Sequence, residues 1–178
     1  TPGLPQWTKL DNPIFTPSTK EEVGHDINVD AETFYADYGD NARDAIANLY
    51  GAAYKKAYAY AEERDILILD TKLEGNLGMI ADEVLTPDSS RFCDKNNFEE
   101  VMSTGGTPAF YDKQPVRDWG SKVETPFTDE DGERIVGINK LDAENPEHIA
   151  WVHQLPVPDD VVKDTTDRYL NIFERLIG

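Results

Sequence analysis

The chain has only one cysteine, Cys93, among its 178 residues, and this excludes an intramolecular disulfide. A reducing compartment fits that composition, so we expect a cytoplasmic protein. The chain also lacks any apolar run close to the roughly 20 residues of a membrane span. Its first residues, TPGLPQW, have neither a basic start nor an apolar core, so we do not expect them to act as a signal peptide. A membrane is therefore not an expected partner.

Basic residues are scarce as well: 17 Lys and Arg stand against 35 Asp and Glu, which gives a formal net charge of −18. Proteins bind nucleic acid and anionic membranes through Lys and Arg, so the composition disfavours both partners. Solvated helix faces and loops account for most of the acids. A base inside an acidic segment is more informative, because it is expected to have a specific partner.

Several motifs that mark catalytic sites are absent. The sequence contains no HExxH zinc motif, no GxSxG and no Gly-rich phosphate loop of the GxGxxG or GxxxxGK[ST] form. What the chain does contain is 39% hydrophobic residues, with three Trp, eight Tyr and seven Phe. This content, at this length, predicts a globular protein with one sizeable core.

Helical and strand patterns predict an α+β fold in which helices flank an antiparallel sheet. Apolar residues at helical spacing predict a long helix over about 40–64 and a final helix over about 158–178. The apolar run over 66–69 is too short for a helix and predicts a buried strand. Residues 79–84 are its predicted antiparallel partner, across the turn-rich link over 75–78.

Local signals predict the remaining segments. Asp30 is expected to cap a short helix over 31–38, and Asp112 is expected to cap a helix with an early proline. Residues 94–111 show no clear period and are expected to be irregular. Residues 120–158 are acidic and contain proline, which predicts a long surface excursion.

The segment over 70–92, DTKLEGNLGMIADEVLTPDSSRF, places acids around the scarce bases Lys72 and Arg91. In an extended strand, side chains two positions apart share a face, so Lys72 and Glu74 are expected to point the same way. The length of the loop that follows decides whether Asp82 joins them.

Two registers of this hairpin remain open from the sequence. A three-residue loop over 76–78 puts Asp82 opposite Lys72, on the face that carries Glu74, whereas a two-residue loop turns Asp82 away. Two carboxylates on one face can hold Mg²⁺, which takes oxygen ligands. The same residues also suit a surface ladder of ion pairs, and the pattern alone favours the ladder slightly.

Two further groups of residues suit an anionic ligand. Ser90 and Arg91 in TPDSSR offer a hydroxyl and a bidentate cation, although an Arg91 tether to Asp88 explains the pattern equally well. Lys113 and Arg117 are four positions apart near the start of a predicted helix. They are expected either to bind one anion together or to be two solvated bases.

Several segments carry a more specific pattern. They are PIFTPSTK (13–20) with GHD (24–26), DTKLE (70–74), DEVLTPDSSRF (82–92), YDKQPVRDW (111–119) and RYLNIFERLIG (168–178). In this order they resemble the SAICAR synthetase (phosphoribosylaminoimidazole-succinocarboxamide synthase) family, and DEVLTPDSSRF is the most specific of them. The chain departs from the family pattern at DTKLEG, where DTKFEFG and a longer hairpin are usual.

The resemblance implies a kinase-like two-lobe fold and a ligase of purine biosynthesis. Such an enzyme uses ATP and Mg²⁺ to join L-aspartate to carboxyaminoimidazole ribonucleotide, and it is compatible with a homo-oligomer. Residues 1–178 would form the C-terminal lobe, with the N-terminal nucleotide-binding lobe in another chain or in a segment missing from this one. The alternatives are a kinase-like phosphotransferase and a non-catalytic or regulatory subunit that kept the fold.

The resemblance also implies roles for individual residues. By position, Lys72, Glu74 and Asp82 correspond to catalytic residues that also bind ATP, with Glu74 and Asp82 as the Mg²⁺ ligands. The implied substrate contacts are Arg91, Lys113, Arg117, Asp88, Ser90, Lys20 and Asp26. Catalysis of this type depends mainly on positioning and on neutralising phosphate charge.

Overall fold

A computed structural model of the chain describes residues 3, 5–19 and 26–178. Its α-helices are α1 (Ala31–Tyr38), α2 (Asp40–Ala45), α3 (Gly51–Glu62), α4 (Lys95–Thr104), α5 (Gln114–Gly120), α6 (Pro146–Val152) and α7 (Asp159–Ile177). Its strands are β1 (Ile66–Thr71), β2 (Glu74–Asn76), β3 (Met79–Ala81), β4 (Ser90–Asp94), β5 (Phe110–Tyr111), β6 (Glu124–Thr128) and β7 (Arg134–Val136). A π-helical turn (Ile46–Tyr50) joins α2 to α3, and a 3-10 turn (Ile138–Lys140) follows β7. The expected α+β class is confirmed.

Strand β1 pairs with β4, so the prediction that residues 79–84 are its partner was wrong. The central sheet has the antiparallel order β1–β4–β5, while β2–β3 and β6–β7 form separate two-stranded sheets. In the β1–β4 ladder Ile68 lies opposite Phe92, and both side chains are buried, whereas Met79 is 59% exposed. The apolar surface that β1 and β4 bury together therefore stabilises their pairing more than the shorter loop would have stabilised pairing with 79–84.

Helices cover both faces of the β1–β4 ladder. One face packs against α3 and α7 through Ala61, Ile66, Ile68, Phe92 and Ile172. The other face packs against α4 through Leu67, Cys93 and Phe98. Successive strand residues point to opposite faces, so a doubly covered strand requires an uninterrupted apolar run. The prediction of a buried strand at the start of β1 is thereby confirmed.

The long helix predicted over 40–64 is observed as α2, the π-helical turn and α3 in direct succession. The Tyr54 hydroxyl donates to the Ile68 carbonyl at 2.7 Å and so fastens α3 to β1. A side chain at Gly51 would bring its Cβ within 2.9 Å of the Ile46 carbonyl oxygen, so glycine permits the close approach at the end of the π turn. Such turns are rare and occur frequently at functional sites.

Helix α7 begins directly after Pro158, as predicted, and runs for 19 residues. Ile172 is buried in the core, but the apolar side chains of Val162 and Phe173 on the same helix are 49% and 57% exposed. The helix contacts α5 and β5 and packs Ile172 into the core, whereas Val162 and Phe173 lie mostly in solvent. No helix in the described part of the chain is long and apolar enough to cross a membrane.

The two predicted helix caps differ in outcome. Asp30 accepts a hydrogen bond from the Thr33 N–H at 2.9 Å and caps α1, as predicted. Asp112 accepts from the Gln114 N–H at 3.0 Å, but the N-cap residue of α5 is Lys113. Asp112 therefore forms a turn that leads into the helix, and the helix begins one residue later than predicted.

Two segments contain more regular structure than the sequence indicated. Residues 94–111 are not irregular, because they contain α4 and β5, and Asp94 caps α4 by accepting from the Asn97 N–H at 2.9 Å. The 120–158 excursion contains the β6–β7 hairpin and α6. The hairpin is anchored by Thr125, which is 2% exposed and belongs to its first strand. An aspartate such as Asp94 is a preferred helix N-cap, so the sequence contained a signal for α4 that the prediction of an irregular segment did not use.

Candidate metal and substrate site

Lys72 lies between two carboxylates just after the end of β1. Its Nζ atom is 2.8 Å from Glu74 Oε1 and 3.1 Å from Asp26 Oδ2. Both acidic side chains are half-buried, whereas the lysine is more exposed. Hydrogen bonds to Glu74 and then to Asp26 raise the pKa of Lys72 above its ordinary value, so the ammonium group is charged at neutral pH. The fold thus brings three of the predicted site residues together.

The β2–β3 hairpin has a two-residue loop, Leu77-Gly78, because Asn76 pairs directly with Met79. The Asn76 side chain closes this loop by accepting from the Gly78 N–H at 2.9 Å. Of the two registers left open by the sequence, the structure has the one with the shorter loop. The three-residue loop is not observed.

This register separates Asp82 from the face that carries Glu74. Glu74 pairs with Ala81, so one further step of the ladder would place Asp82 opposite Leu73, which points away from Lys72 and Glu74. Asp82 is exposed and leaves the strand with a φ of 62°, in the left-handed region that Asp tolerates better than most residues. Of the two placements left open by the sequence, the structure therefore has the one in which Asp82 turns away from Lys72 and Glu74.

The carboxylates near Lys72 fit a magnesium ion carried by a nucleotide. Within the described ranges, no three His, Cys, Asp or Glu side chains are grouped closely enough to form an all-protein metal site. Mg²⁺ in nucleotide sites usually takes one or two carboxylates and completes its shell with water and phosphate oxygens. Glu74 and Asp26, held beside one lysine, meet that smaller requirement, and Asp82 lies just past the end of the same hairpin.

Arg91 forms a bidentate pair with Asp70 across the β1–β4 ladder. Its Nε atom donates to Asp70 Oδ1 at 2.8 Å and its Nη2 atom donates to Oδ2, and the two residues are register partners. The Asp70 hydrogen bond raises the pKa of Arg91. The guanidinium also lies 5.8 Å from the ring centroid of Phe110. The alternative in which Arg91 tethers Asp88 was wrong, and the pair fixes the orientation of the guanidinium instead.

Asp88 connects the loop before β4 to two helices. It accepts a hydrogen bond from the Tyr169 hydroxyl of α7 at 2.6 Å, and its Oδ1 lies 3.8 Å from Lys113 Nζ at the start of α5. Burial, followed by the Asp88 contact, raises the pKa of Tyr169. The sequence did not predict this contact, because Tyr169 lies at the helical spacing of the apolar residues of α7. The hydroxyl of a tyrosine on an apolar face could have indicated such a contact, because a buried tyrosine usually finds a hydrogen-bond partner.

The remaining predicted contacts occupy different environments. Ser90 is 4% exposed, and its hydroxyl lies 2.8 Å from Thr71 Oγ1 in a cross-strand pair. Arg117 is exposed in the last turn of α5, one helical turn after Lys113. Lys20 lies outside the described residues. Arg117 and Lys113 therefore belong to one short helix, but only Lys113 is held near Asp88.

A depression of about 440 Å³ opens beside the Arg91 side chain. Its lining includes a second arginine, Arg168, whose Nη1 donates to the Phe110 carbonyl at 2.8 Å and lies 3.9 Å from the buried carboxylate of Asp112. The Trp7 Nε1–H also belongs to this lining and is buried with no hydrogen-bond partner among the described residues. The depression thus combines two guanidinium groups, the carboxylates of Asp112 and Asp118, and an indole donor.

The sequence and structure were compared with known proteins. The family model described as SAICAR synthetase matches residues 1–134. The phosphoribosylaminoimidazole-succinocarboxamide synthase of Thermobifida fusca is 40% identical over 183 residues, which cover 99% of this chain and 52% of that protein. The chain therefore spans about half the length of the curated relatives that it matches.

Solved structures give the same result for the fold. The SAICAR-synthase from Saccharomyces cerevisiae, complexed with SAICAR, superposes with a TM-score of 0.62 at 30% identity and covers 100% of this chain and 50% of its own. A Type-2 SAICAR synthetase in complex with ADP superposes with a TM-score of 0.56 at 19% identity, covering 98% of this chain and 55% of its own. At that lower identity, the second likeness concerns the fold alone.

Proposed function

This chain belongs to the SAICAR synthetase family, and on that premise we propose that it supplies one lobe of an ATP-dependent ligase. The reaction joins L-aspartate to carboxyaminoimidazole ribonucleotide. Residues 1–178 form the C-terminal lobe, and the nucleotide-binding N-terminal lobe comes from another chain or from a segment outside this sequence. The coverage of about half of each relative supports this division.

The cluster of Lys72, Glu74 and Asp26 is the observation that carries the proposal. We assign Glu74 and Asp82 as the residues that would hold Mg²⁺, and the ion would supply positive charge to neutralise phosphate oxygens. Lys72 is already charged and held 2.8 Å from Glu74, so it is placed to contact a phosphate oxygen beside the metal. Asp82 is exposed just past the end of the hairpin and would reach such an ion from outside the Lys72–Glu74 face.

We assign the ribonucleotide to the side of the sheet that carries Arg91. Asp70 uses the Nε and one Nη2 donor of Arg91, and the remaining donors of the guanidinium suit a phosphate or carboxylate. Lys113, beside Asp88, and Arg117 supply further positive charge from α5. Ser90, whose hydroxyl lies 2.8 Å from Thr71 Oγ1, and Asp88 remain predicted substrate contacts beside Arg91. Lys20 and Asp26 remain predicted substrate contacts.

The test requires the complete enzyme, which contains this chain together with the other half of the length seen in its relatives. ADP production is measured with aspartate, with the ribonucleotide and with both. We expect ATP consumption only when both are present. Equal ATP turnover without aspartate would exclude the ligase and favour a phosphotransferase.

One variant examines the metal assignment within the same assay. Asp82→Asn is expected to lower the Mg²⁺-dependent rate by at least about a hundredfold while leaving folding unchanged, because it removes a charged ligand. Asp37→Asn, an exposed change on α1, is the control. An active Asp82→Asn enzyme would remove Asp82 from the metal site.

A further inference from the structure

The hairpin that carries Glu74 lies apart from the central sheet. Strands β2 and β3 pair with each other and form a two-stranded sheet of their own. A two-stranded hairpin is marginally stable in water unless something else holds it. Its helical neighbour is the π-helical turn over 46–50, which contacts β3. That contact therefore decides how firmly Glu74 is positioned.

The Tyr50 hydroxyl makes the polar part of this contact. Its oxygen lies 2.9 Å from the Asn76 carbonyl and 3.3 Å from the Met79 carbonyl, the two groups that flank the tight loop. The O–H donates to the nearer carbonyl and approaches the second. Burial raises the pKa of Tyr50 above its ordinary value, so the hydroxyl keeps its proton at neutral pH.

Gly75 fits this hydroxyl closely. A Cβ on Gly75 would lie 2.4 Å from Tyr50 Oη and 2.1 Å from the Met79 carbonyl oxygen, and the residue has a φ of 152°. A side chain is therefore excluded by the contact itself as well as by the backbone conformation. Because Gly75 directly follows Glu74, the hydroxyl is held one residue from the carboxylate that contacts Lys72.

The π turn places Tyr50 at this position. The turn occupies Ile46–Tyr50, with Tyr50 as its last residue and Gly51 beginning α3. The extra residue in such a turn changes the direction of the side chains that follow it. Tyr54, one turn later, instead donates to the Ile68 carbonyl of β1 at 2.7 Å. Two tyrosines of one helix thus hold two different sheets.

We propose that Tyr50 is a positioning residue for the reaction, whose hydroxyl holds the β2–β3 hairpin so that Glu74 stays beside Lys72. This inference rests on the function proposed above for Glu74. Tyr50 acts through the hairpin and does not contact the reacting atoms. Its loss is therefore expected to weaken metal-dependent steps and to leave ribonucleotide binding unchanged.

The first test measures local opening of the hairpin in the complete enzyme. Amide hydrogen exchange is compared for wild type, Tyr50→Phe and the control Tyr60→Phe, which removes a similar hydroxyl contact, 2.7 Å to the Leu176 carbonyl, elsewhere in the fold. We expect the amides over 75–81 to exchange about five times faster in Tyr50→Phe, as for the loss of one hydrogen bond, and to be unchanged in Tyr60→Phe. Unchanged exchange in Tyr50→Phe would overturn the proposal.

The second test uses the complete enzyme and separates positioning from general stability. In Tyr50→Phe the Mg²⁺ concentration for half-maximal rate is expected to rise about fivefold, with an unchanged KM for the ribonucleotide, whereas Tyr60→Phe matches wild type. An unchanged Mg²⁺ dependence would overturn the positioning role. If wild type shows no aspartate-dependent ATP consumption, the proposed function fails, and the exchange comparison still decides whether Tyr50 holds the hairpin.

Discussion

The β1–β4 ladder and the β2–β3 hairpin come from neighbouring parts of the sequence but are held by different forces. The ladder is buried on both faces, with Phe92 1% and Ile66 0% exposed. In the hairpin, Leu77 and Met79 are 51% and 59% exposed, and polar contacts from Tyr50 position it. The ladder holds the Arg91 pair on a rigid support, whereas Glu74 lies on an element with few apolar contacts. Elements that bind ligands are often drawn from such less stable regions.

Truncation of a side chain in the ladder tests this difference most strongly. Phe92→Ala is expected to lower the free energy of unfolding by about 3–5 kcal/mol, because it removes buried apolar surface and leaves a cavity. Met79→Ala is the matched change in the hairpin and is expected to cost less than about 0.5 kcal/mol. Urea denaturation of both variants measures the difference. Equal losses would mean that the hairpin belongs to the core.

A change at Gly75 is expected to affect the hairpin and leave the ladder intact. Gly75→Ala introduces a Cβ at 2.4 Å from Tyr50 Oη, so the hairpin should open with a loss of about 1–3 kcal/mol in local stability. Gly132→Ala is the control, because Gly132 also has a positive φ, of 81°, but its Cβ would meet nothing within 4 Å. Amide exchange over 75–81 measures the result. A hairpin that keeps wild-type protection in Gly75→Ala would contradict the close contact.

A smaller effect is expected from pH on the ladder side. Burial acts to raise the pKa of Asp94, but hydrogen bonds from the Asn97 N–H and Arg175 outweigh it and lower the pKa below its ordinary value of 3.8. A lowered folded pKa contributes stability above the unfolded pKa, and this stability is lost as pH falls through the folded pKa. Asp94→Asn should therefore flatten the decline in stability below about pH 4.

Asp94→Ala separates charge from capping in that experiment. The Asn variant keeps an oxygen that can accept from the Asn97 N–H, whereas the Ala variant also loses the cap of α4, at an added cost of about 1 kcal/mol. Chemical denaturation at several acidic pH values measures both. Parallel pH profiles for wild type and Asp94→Asn would show that another group causes the acid sensitivity.

Local patterns predicted α1, the continuous α2–α3 segment, α5 and α7, but missed α4 and α6. The helix over 40–64 and the start of α7 after Pro158 follow from apolar spacing and capping within a few residues. The pairing of β1 was wrong because a strand partner is chosen by the apolar surface that both strands bury. That surface belongs partly to residues about twenty positions later, and a hairpin signal close by does not report it.

The candidate site shows the same division between near and distant residues. Lys72 and Glu74 are two positions apart, so their contact is local, although Lys72 lies in the link between β1 and β2 and not within a strand. Asp26 completes the cluster from 46 positions away, and Tyr169 reaches Asp88 from 81 positions away. The resemblance to a known family pointed to Asp26, but no local pattern in this sequence predicted the Tyr169 contact.

The sequence by itself determined helices α1, α2 with α3, α5 and α7, the buried strand at the start of β1, and the family to which the chain is related. Those features depend on side chains within one or two turns of each other, so neighbouring residues are sufficient to specify them. Only the tertiary structure decided that Arg91 pairs with Asp70, that the hairpin loop has two residues, and that Tyr50 holds it. Those outcomes depend on which distant surfaces are buried together, and that choice minimises the free energy of the whole chain rather than of any one segment.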